Sequence, residues 1–261
     1  MKTDFAEGMT LITGATSGIG KELARIFAAE NYDLILIARN KEDLVSFAKE
    51  LQTHHDVFIK VIAKDLSKPA AAKEIYKELE KESLTVDVLI NSAGFGTAGN
   101  FWEIDEKVET DEITLNILSL TMLTKLLLPS MIKQKSGKIL NIASVAAFFP
   151  GPLMSVYYAT KAYVLSFSEG IREELRGTGV SVTVLAPPPL NTGFAKRAQV
   201  KNVRSFDNAK MTPEQVAQIG YEALMSGCDL VVPGFLNKIE SLASRLSPYK
   251  FSARIIKKLQ E

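Results

Sequence analysis

The sequence predicts an α/β fold: a doubly wound parallel sheet of about seven strands with helices on both faces, in a single domain spanning 1–261. Three observations predict it. Apolar runs of strand length alternate along the chain with longer stretches of helical period. The strand runs are nearly continuous in Val, Ile and Leu, as burial on both faces of a parallel sheet requires. No linker rich in Pro, Gly or Ser and no internal repeat divides the chain, so the alternation reads as one sheet.

The first strand is TLIT at 10–13, followed by a glycine-rich loop and a helix that begins near Ile19. KELARIFAAE and KEDLVSFAKEL carry apolar residues three and four apart, the spacing of helices that cover a sheet, and they bracket the second strand, DLILIA at 33–38. VFIKVIA at 57–63 and VDVLIN at 86–91 are the third and fourth strands. The most apolar helical stretch, around Leu115 to Leu128, is interrupted by Asn116 and Lys125 and is expected to fall short of the ~20 apolar residues that cross a bilayer. KILNIA at 138–143, VSVTVLA at 180–186 and DLVV at 229–232 complete the sheet. The irregular stretch 187–211 is too long for an ordinary connection and is expected to be a substrate-side lid. A helical tail is expected over 236–261.

Composition excludes several classes of chemistry. Lys and Arg total 31 against 30 Asp and Glu, so net charge offers no reason to bind nucleic acid. The single cysteine, Cys228, permits neither an intrachain disulfide nor a cysteine metal cluster. The only histidines, His54 and His55, are adjacent and cannot form the i,i+4 pair of a zinc helix, so no metal site is expected. Proton transfer must then fall to Tyr, Lys, Ser or a carboxylate. The N-terminal MKTDFAEG carries acidic residues and runs into a strand, which argues against a cleaved signal and for a soluble cytoplasmic protein.

The loop after the first strand reads Thr13-Gly14-Ala15-Thr16-Ser17-Gly18-Ile19-Gly20. Its glycines let the backbone turn sharply and approach a diphosphate, whose charge is stabilised by free N–H groups at the following helix N-terminus. A ligand-free glycine turn is the alternative, disfavoured by the strand-loop-helix context. Further along, Tyr157 and Lys161 are four apart and share one helical face, with Ser144 thirteen residues before the tyrosine. A Tyr-x-x-x-Lys pair alone is usually a surface pair.

Together these motifs resemble the short-chain dehydrogenase/reductase family, in its compact single-domain, Rossmann-type branch, and the C-terminal half is most similar to uncharacterised bacterial members. The glycine spacing, the Ser144 to Tyr157 separation and Asn116 ahead of the fifth strand all match, over most of the first 190 residues. The resemblance implies an oxidoreductase acting on a carbonyl or an alcohol. It assigns Tyr157 as general acid and base, Ser144 as holder of the substrate oxygen, Lys161 as partner of Tyr157 and of the nicotinamide ribose, and Asn116 as support for a proton-carrying water. A free tyrosine titrates near ~10, so Lys161 and a positive nicotinamide are expected to stabilise its phenolate.

The same resemblance implies a nicotinamide dinucleotide held by Gly14, Thr16, Ser17, Gly18, Ile19 and Gly20 at the loop. Asp65 and Leu66 would meet the adenine. In Asn91-Ser92-Ala93-Gly94 the family's second Asn is Ser92; Ala93 and Gly94 are taken as contacts, and Asn91 as a contact or a purely structural residue. The second strand ends in Arg39 rather than a carboxylate, which favours the 2′-phosphate of NADP(H) over the bare ribose of NAD, a solvated cation being the other reading. Pro187, Leu190 and Thr192 would line the nicotinamide, although Pro188 stands where the family carries glycine and the segment is equally readable as a rigid support.

Substrate cannot be read from these motifs. Lys196, Arg197, Lys201, Arg204 and Lys210 against Asp207 suit either an anionic substrate or a solvated lid. Phe95, Phe148, Phe149 and Leu153 suit an apolar pocket or the core. The tail from Leu236 carries six basic and two acidic residues, and covering the sheet or a neighbouring subunit is the expectation ahead of touching an anionic membrane. A homodimer or homotetramer is expected. A non-catalytic NADP(H)-binding sensor is the competing function, and a nucleotide-sugar epimerase or dehydratase is a second; intact Ser144, Tyr157 and Lys161 argue against the sensor, and the lack of a substrate domain against the epimerase.

Overall fold

A computed structural model describes residues 8–190, 211–234, 237, 253–254 and 256–257. Seven strands form one sheet: β1 Met9–Thr13, β2 Leu34–Ala38, β3 Ile59–Ala63, β4 Val86–Asn91, β5 Gly137–Ile142, β6 Val180–Leu185 and β7 Leu230–Val231. Their order is β3-β2-β1-β4-β5-β6-β7, with every pair parallel. The expected strands are all present; the third starts two residues later than its apolar run and the seventh shrinks to two residues at the sheet edge.

Helices α1 Gly18–Ala29, α2 Lys41–His54, α3 Ala71–Lys81, α4 Glu106–Ile113, α5 Leu120–Gln134, α6 Ser155–Glu174 and α7 Pro213–Ser226 divide between the two faces. On one face Leu23, Phe27, Leu44, Phe47, Val216 and Leu224 of α1, α2 and α7 close over Ile12, Leu36 and Leu140. On the other, Ile75, Leu79, Leu123, Leu127 and Met131 of α3 and α5 close over Leu11, Ile35, Leu89 and Ile139. Each strand thus sends alternate side chains into a different core, which explains its continuous apolar character.

Local chemistry sets the element ends. Asn40 caps α2 by accepting from the Glu42 and Asp43 N–H groups. Thr212 and Gln215 form a capping box on α7, which stops at Gly227 in the left-handed region. One expectation needs correction. Asn116 and Lys125 do not interrupt the apolar helix: α4, a π-helical turn at Thr114–Ser119 and α5 form one rod over Glu106–Gln134, long and apolar enough by length and composition to span a bilayer. A buried stripe of Leu120, Leu123, Thr124, Leu127 and Met131 lies against the sheet instead.

Strand order reverses between β1 and β4, so the loops leaving their C-terminal ends diverge and open a crevice there. The glycine loop follows β1 and Asn91-Ser92-Ala93-Gly94 ends β4, and both therefore border that crevice.

Candidate active site

A cleft of about 800 Å³ occupies the crevice. Its lining runs from Arg39, Asp65 and Leu66 past Gly14, Thr16, Ser17, Gly18 and Ile19 to Ala93 and Gly94, then to Ser144, Tyr157, Lys161, Pro187 and Leu190. Most of the residues singled out by sequence therefore face one elongated space. Thr192 and the segment Gly193 to Lys210 lie outside the described residues, as does most of the tail; Ile256, which is described, reaches the cleft wall.

The glycine loop is built for close backbone approach. Gly14 has φ +69°, and a Cβ there would lie 3.0 Å from the Ala93 backbone. Ser17 is extended and precedes α1, leaving that helix's first N–H groups turned toward the cleft. Thr13, which sequence reasoning passed over, ties the two sides of the crevice. Its Oγ1 accepts from Ser92 N and Ala93 N, each at 3.0 Å, and donates to Ile90 O. Its position just before Gly14 was the available signal.

Two expected cofactor residues stand apart from the cleft wall. A Cβ on Gly20 would sit 2.6 Å from Gly14 O, so this glycine seats α1 beneath the loop rather than meeting a ligand. The Asn91 side chain donates to Asn141 Oδ1 at 2.9 Å and Thr124 Oγ1 at 3.2 Å inside the protein, so of its two readings the geometry supports the structural one.

At the far end of the cleft, Ser144 caps a short 3₁₀ turn, accepting from Ala146 N at 3.1 Å, and is hydrogen-bonded to the Tyr157 hydroxyl. Lys161, only 7% exposed, donates to Ile142 O at 2.9 Å, with Nζ 5.8 Å from the Tyr157 ring centroid. Met154 and the Tyr158 ring complete this wall, and Tyr158 packs where Gly151 lacks a side chain. Phe95 and the prolines 187 to 189 line it too; the Pro187 carbonyl accepts from Val145 N at 3.0 Å, a rigid backing that uses no N–H at Pro188.

Asn116 lies behind this wall in the π-helical turn, and its amide is fully engaged. Oδ1 accepts from Phe95 N at 3.2 Å, while Nδ2 donates to Phe95 O at 2.8 Å and to Thr160 Oγ1 at 3.0 Å. Thr160 in turn donates to the Tyr157 carbonyl. Asn116 thus clamps the Phe95 backbone to α6. A π-turn inserts one extra residue per turn and re-aims the side chains around it, which is how a helix that covers the sheet points an amide inward here.

Electrostatics departs from expectation at Tyr157. Burial pushes its hydroxyl well above the ordinary phenol range; the Ser144 bond offsets this in part, and Tyr158 and Glu112 add to the rise. Lys161 is itself lowered to about 8, because burial penalises the ammonium, with Glu112 acting the other way. Only the Ser144 bond acts against the rise at the phenol, so the chain alone does not depress Tyr157.

The residues present fit a dinucleotide: a cleft of suitable length, backbone N–H groups bared by glycine for the diphosphate, and Lys161 with Tyr157 at one end. Arg39 is exposed at the other end and makes no ion pair among the described residues. No cluster of His, Cys, Asp and Glu able to hold a metal occurs among the described residues.

Comparisons with known proteins agree with this geometry. A family model described as short chain dehydrogenase matches residues 8–203. The chain is 34% identical over 229 residues to a very-long-chain 3-oxoacyl-CoA reductase of Anas platyrhynchos, covering 84% of this chain and 70% of that protein. A Danio rerio reductase of the same description is covered over 63% of its length, so the chain spans about two thirds of these relatives. It is also 30% identical over 222 residues to an uncharacterized oxidoreductase of Staphylococcus aureus, covering 85% of this chain and 93% of that one. Among solved structures, a Sphingobium yanoikuyae short-chain dehydrogenase in complex with NADPH aligns with TM-score 0.80 and 28% identity, covering 92% and 93% of the two chains. A Burkholderia phymatum short chain dehydrogenase/reductase in complex with NAD aligns with TM-score 0.80 and 25% identity, covering 93% of each.

Proposed function

The chain belongs to the short-chain dehydrogenase family of oxidoreductases, and from that premise we propose that it transfers hydride between NADP(H) and a carbonyl or secondary alcohol. The observation that carries this reading is the convergence of Ser144, Tyr157 and Lys161 on one end of a dinucleotide-sized cleft. When bound, NADPH supplies the hydride. Ser144 holds the substrate oxygen by hydrogen bond and Tyr157 delivers a proton to it, the reverse serving alcohol oxidation. A buried, uncharged phenol is suited to the donor role, and Lys161 stabilises the phenolate that remains.

Arg39 supports NADP(H) over NAD(H): it is a guanidinium at the strand end with no carboxylate beside it, able to make charge-assisted bonds to a 2′-phosphate. Phe95, Met154, Tyr158 and the three prolines give the substrate end an apolar wall, which favours ketones with hydrophobic substituents. We propose a cytoplasmic homodimer or homotetramer, a reading that the exposed Ile113, Leu118 and Ile132 on the long helical rod support. Sedimentation at micromolar concentration showing only monomer would overturn the oligomer.

The test is NADPH oxidation across a panel of apolar ketones, aldehydes and 3-oxoacyl thioesters, with NADH as control. Turnover is expected with NADPH, and Tyr157→Phe is expected to lose at least ~100-fold in kcat, the usual range for removing a general acid. Full turnover by that variant would sink the mechanism.

A further inference from the structure

Of the two acids buried among the described residues, Asp87 and Glu112, Glu112 is the one on the helical rod that carries Asn116, and the reaction scheme leaves it without a task. It lies on α4, four residues before Asn116, and is 0% exposed. One carboxyl oxygen, Oε2, accepts from Thr97 Oγ1 at 2.7 Å; the other, Oε1, is buried without a hydrogen-bond partner. A core carboxyl so poorly satisfied is costly and usually carries a function.

Its surroundings join it to the catalytic end of the cleft. Residues 94 to 97 lie against the helical rod, held by two of its side chains: Asn116 brackets Phe95, and Glu112 holds Thr97. At the start of that segment, a Cβ on Gly94 would lie 3.1 Å from Asn116 Oδ1 and 3.5 Å from Lys161 Nζ. Lys161 forms no ion pair among the described residues, and the field of Glu112 is what favours its charged form. We propose that Glu112 is a positioning residue for the reaction, the internal counter-charge that keeps Lys161 an ammonium beside Tyr157.

The inference rests on the reductase reading for its effect on turnover, though not for its effect on Lys161. The titratable groups coupled to Glu112 by charge are Lys161 and Tyr157 from α6 and Glu109 from its own helix, and its hydrogen-bond partner is Thr97. Burial raises the Glu112 carboxyl to about 7; bonds from the Thr97 hydroxyl and backbone hold it down, Glu109 adds to the rise, and Lys161 makes the smallest contribution, a lowering one. Below that pH it is neutral and exerts no field, and the value of about 8 for Lys161 already includes the support of the carboxylate. Above it, the carboxylate appears as Lys161 begins to lose its proton, so the counter-charge acts where the ammonium is at risk.

The test uses the full chain and Glu112→Gln, which keeps an acceptor for Thr97 and removes the charge. Carbon-13 NMR with labelled Glu is expected to show a carboxyl titrating near neutrality that vanishes in the variant. With labelled Lys, the Lys161 signal, assigned through Lys161→Arg, is expected to titrate at lower pH in Glu112→Gln than in wild type. In NADPH-dependent reduction, kcat/KM of the variant is expected within ~2-fold of wild type at pH 6 and lower by ~3–10-fold at pH 8.5. If Glu112→Gln does not fold, Thr97→Val serves: losing the bond to the carboxylate should move the Glu112 titration upward. An unchanged Lys161 titration, or wild-type and variant pH profiles that stay parallel, would overturn the proposal. Failure of the reductase reading looks different: wild type turns over no carbonyl, and the Lys161 titration still decides the role of Glu112.

Discussion

Gly20→Ala gives the sharpest test of how the cradle is built. The added methyl would sit 2.6 Å from Gly14 O, 3.0 Å from Ser92 Oγ and 3.1 Å from Gly14 C. Ordinary contact begins near 3.4 Å, so the Gly14 carbonyl must recede by most of an ångström. That carbonyl is backbone, in a loop whose far side is held by Thr13 to Ser92 and Ala93, so it cannot simply rotate away. Overpacking of this kind costs about 1–3 kcal/mol, equivalent to about 2–12 °C in Tm for a chain of this size. Moving α1 off the loop also spoils the alignment of its N–H groups with a diphosphate, so the Kd for NADPH should rise by ~10-fold or more, while kcat at saturation changes less. Gly170→Ala is the internal control. It lies within α6, nothing stands within 4 Å of the added methyl, and Ala is the better helix former, so Tm should rise slightly, in line with about 0.5–1 kcal/mol. Thermal unfolding and NADPH fluorescence titration of both variants decide it. Wild-type Tm and Kd in Gly20→Ala would refute the argument that this glycine exists for close approach.

Two further outcomes follow from the site. Lys161→Met should abolish turnover yet stabilise the fold at neutral pH. The buried ammonium is held at about 8 against an ordinary 10.5, so its penalty is full below pH 8 and gone above 10.5; the variant's advantage, on the order of 1–3 kcal/mol, should therefore shrink over that window in urea unfolding. A Tm below wild type at pH 7 would show that the bond to Ile142 O outweighs desolvation. Arg39→Glu should raise KM for NADPH by ~10–100-fold and leave KM for NADH little changed or improved, measured by initial rates; equal effects on both would remove Arg39 from specificity.

How much was legible beforehand varies by residue. The central strands could be read because both faces of β1, β2 and β4 are buried, which writes an unbroken apolar run into the sequence. Tyr157 and Lys161 could be paired from spacing, since a helix brings residues four apart together whatever lies around them, whereas Ser144 and the role of the set came from the family resemblance. Asn91 could not be settled: its identity says amide, but only the register of β4 against β5 sets it opposite Asn141. Gly20 was taken for a ligand contact because spacing cannot tell a glycine that faces a ligand from one that faces a neighbouring backbone. The long rod was taken to be interrupted because a polar residue in an apolar run looks like a break, whereas a π-turn accommodates it.

The sequence by itself determined the parallel α/β class, the glycine loop and the Ser, Tyr and Lys set. These depend on local periodicity and on residue types whose chemistry has few substitutes once His and Cys are scarce. Tertiary structure decided the ionisation of that set. The Tyr157 hydroxyl rises rather than falls, Lys161 is weakened, and Glu112, which no motif marks, becomes the charge that acts on both. The physical reason is desolvation: how strongly a group holds its proton depends on what surrounds it in three dimensions, and residues 45 to 49 positions apart in the chain meet only when the sheet and its helices have packed.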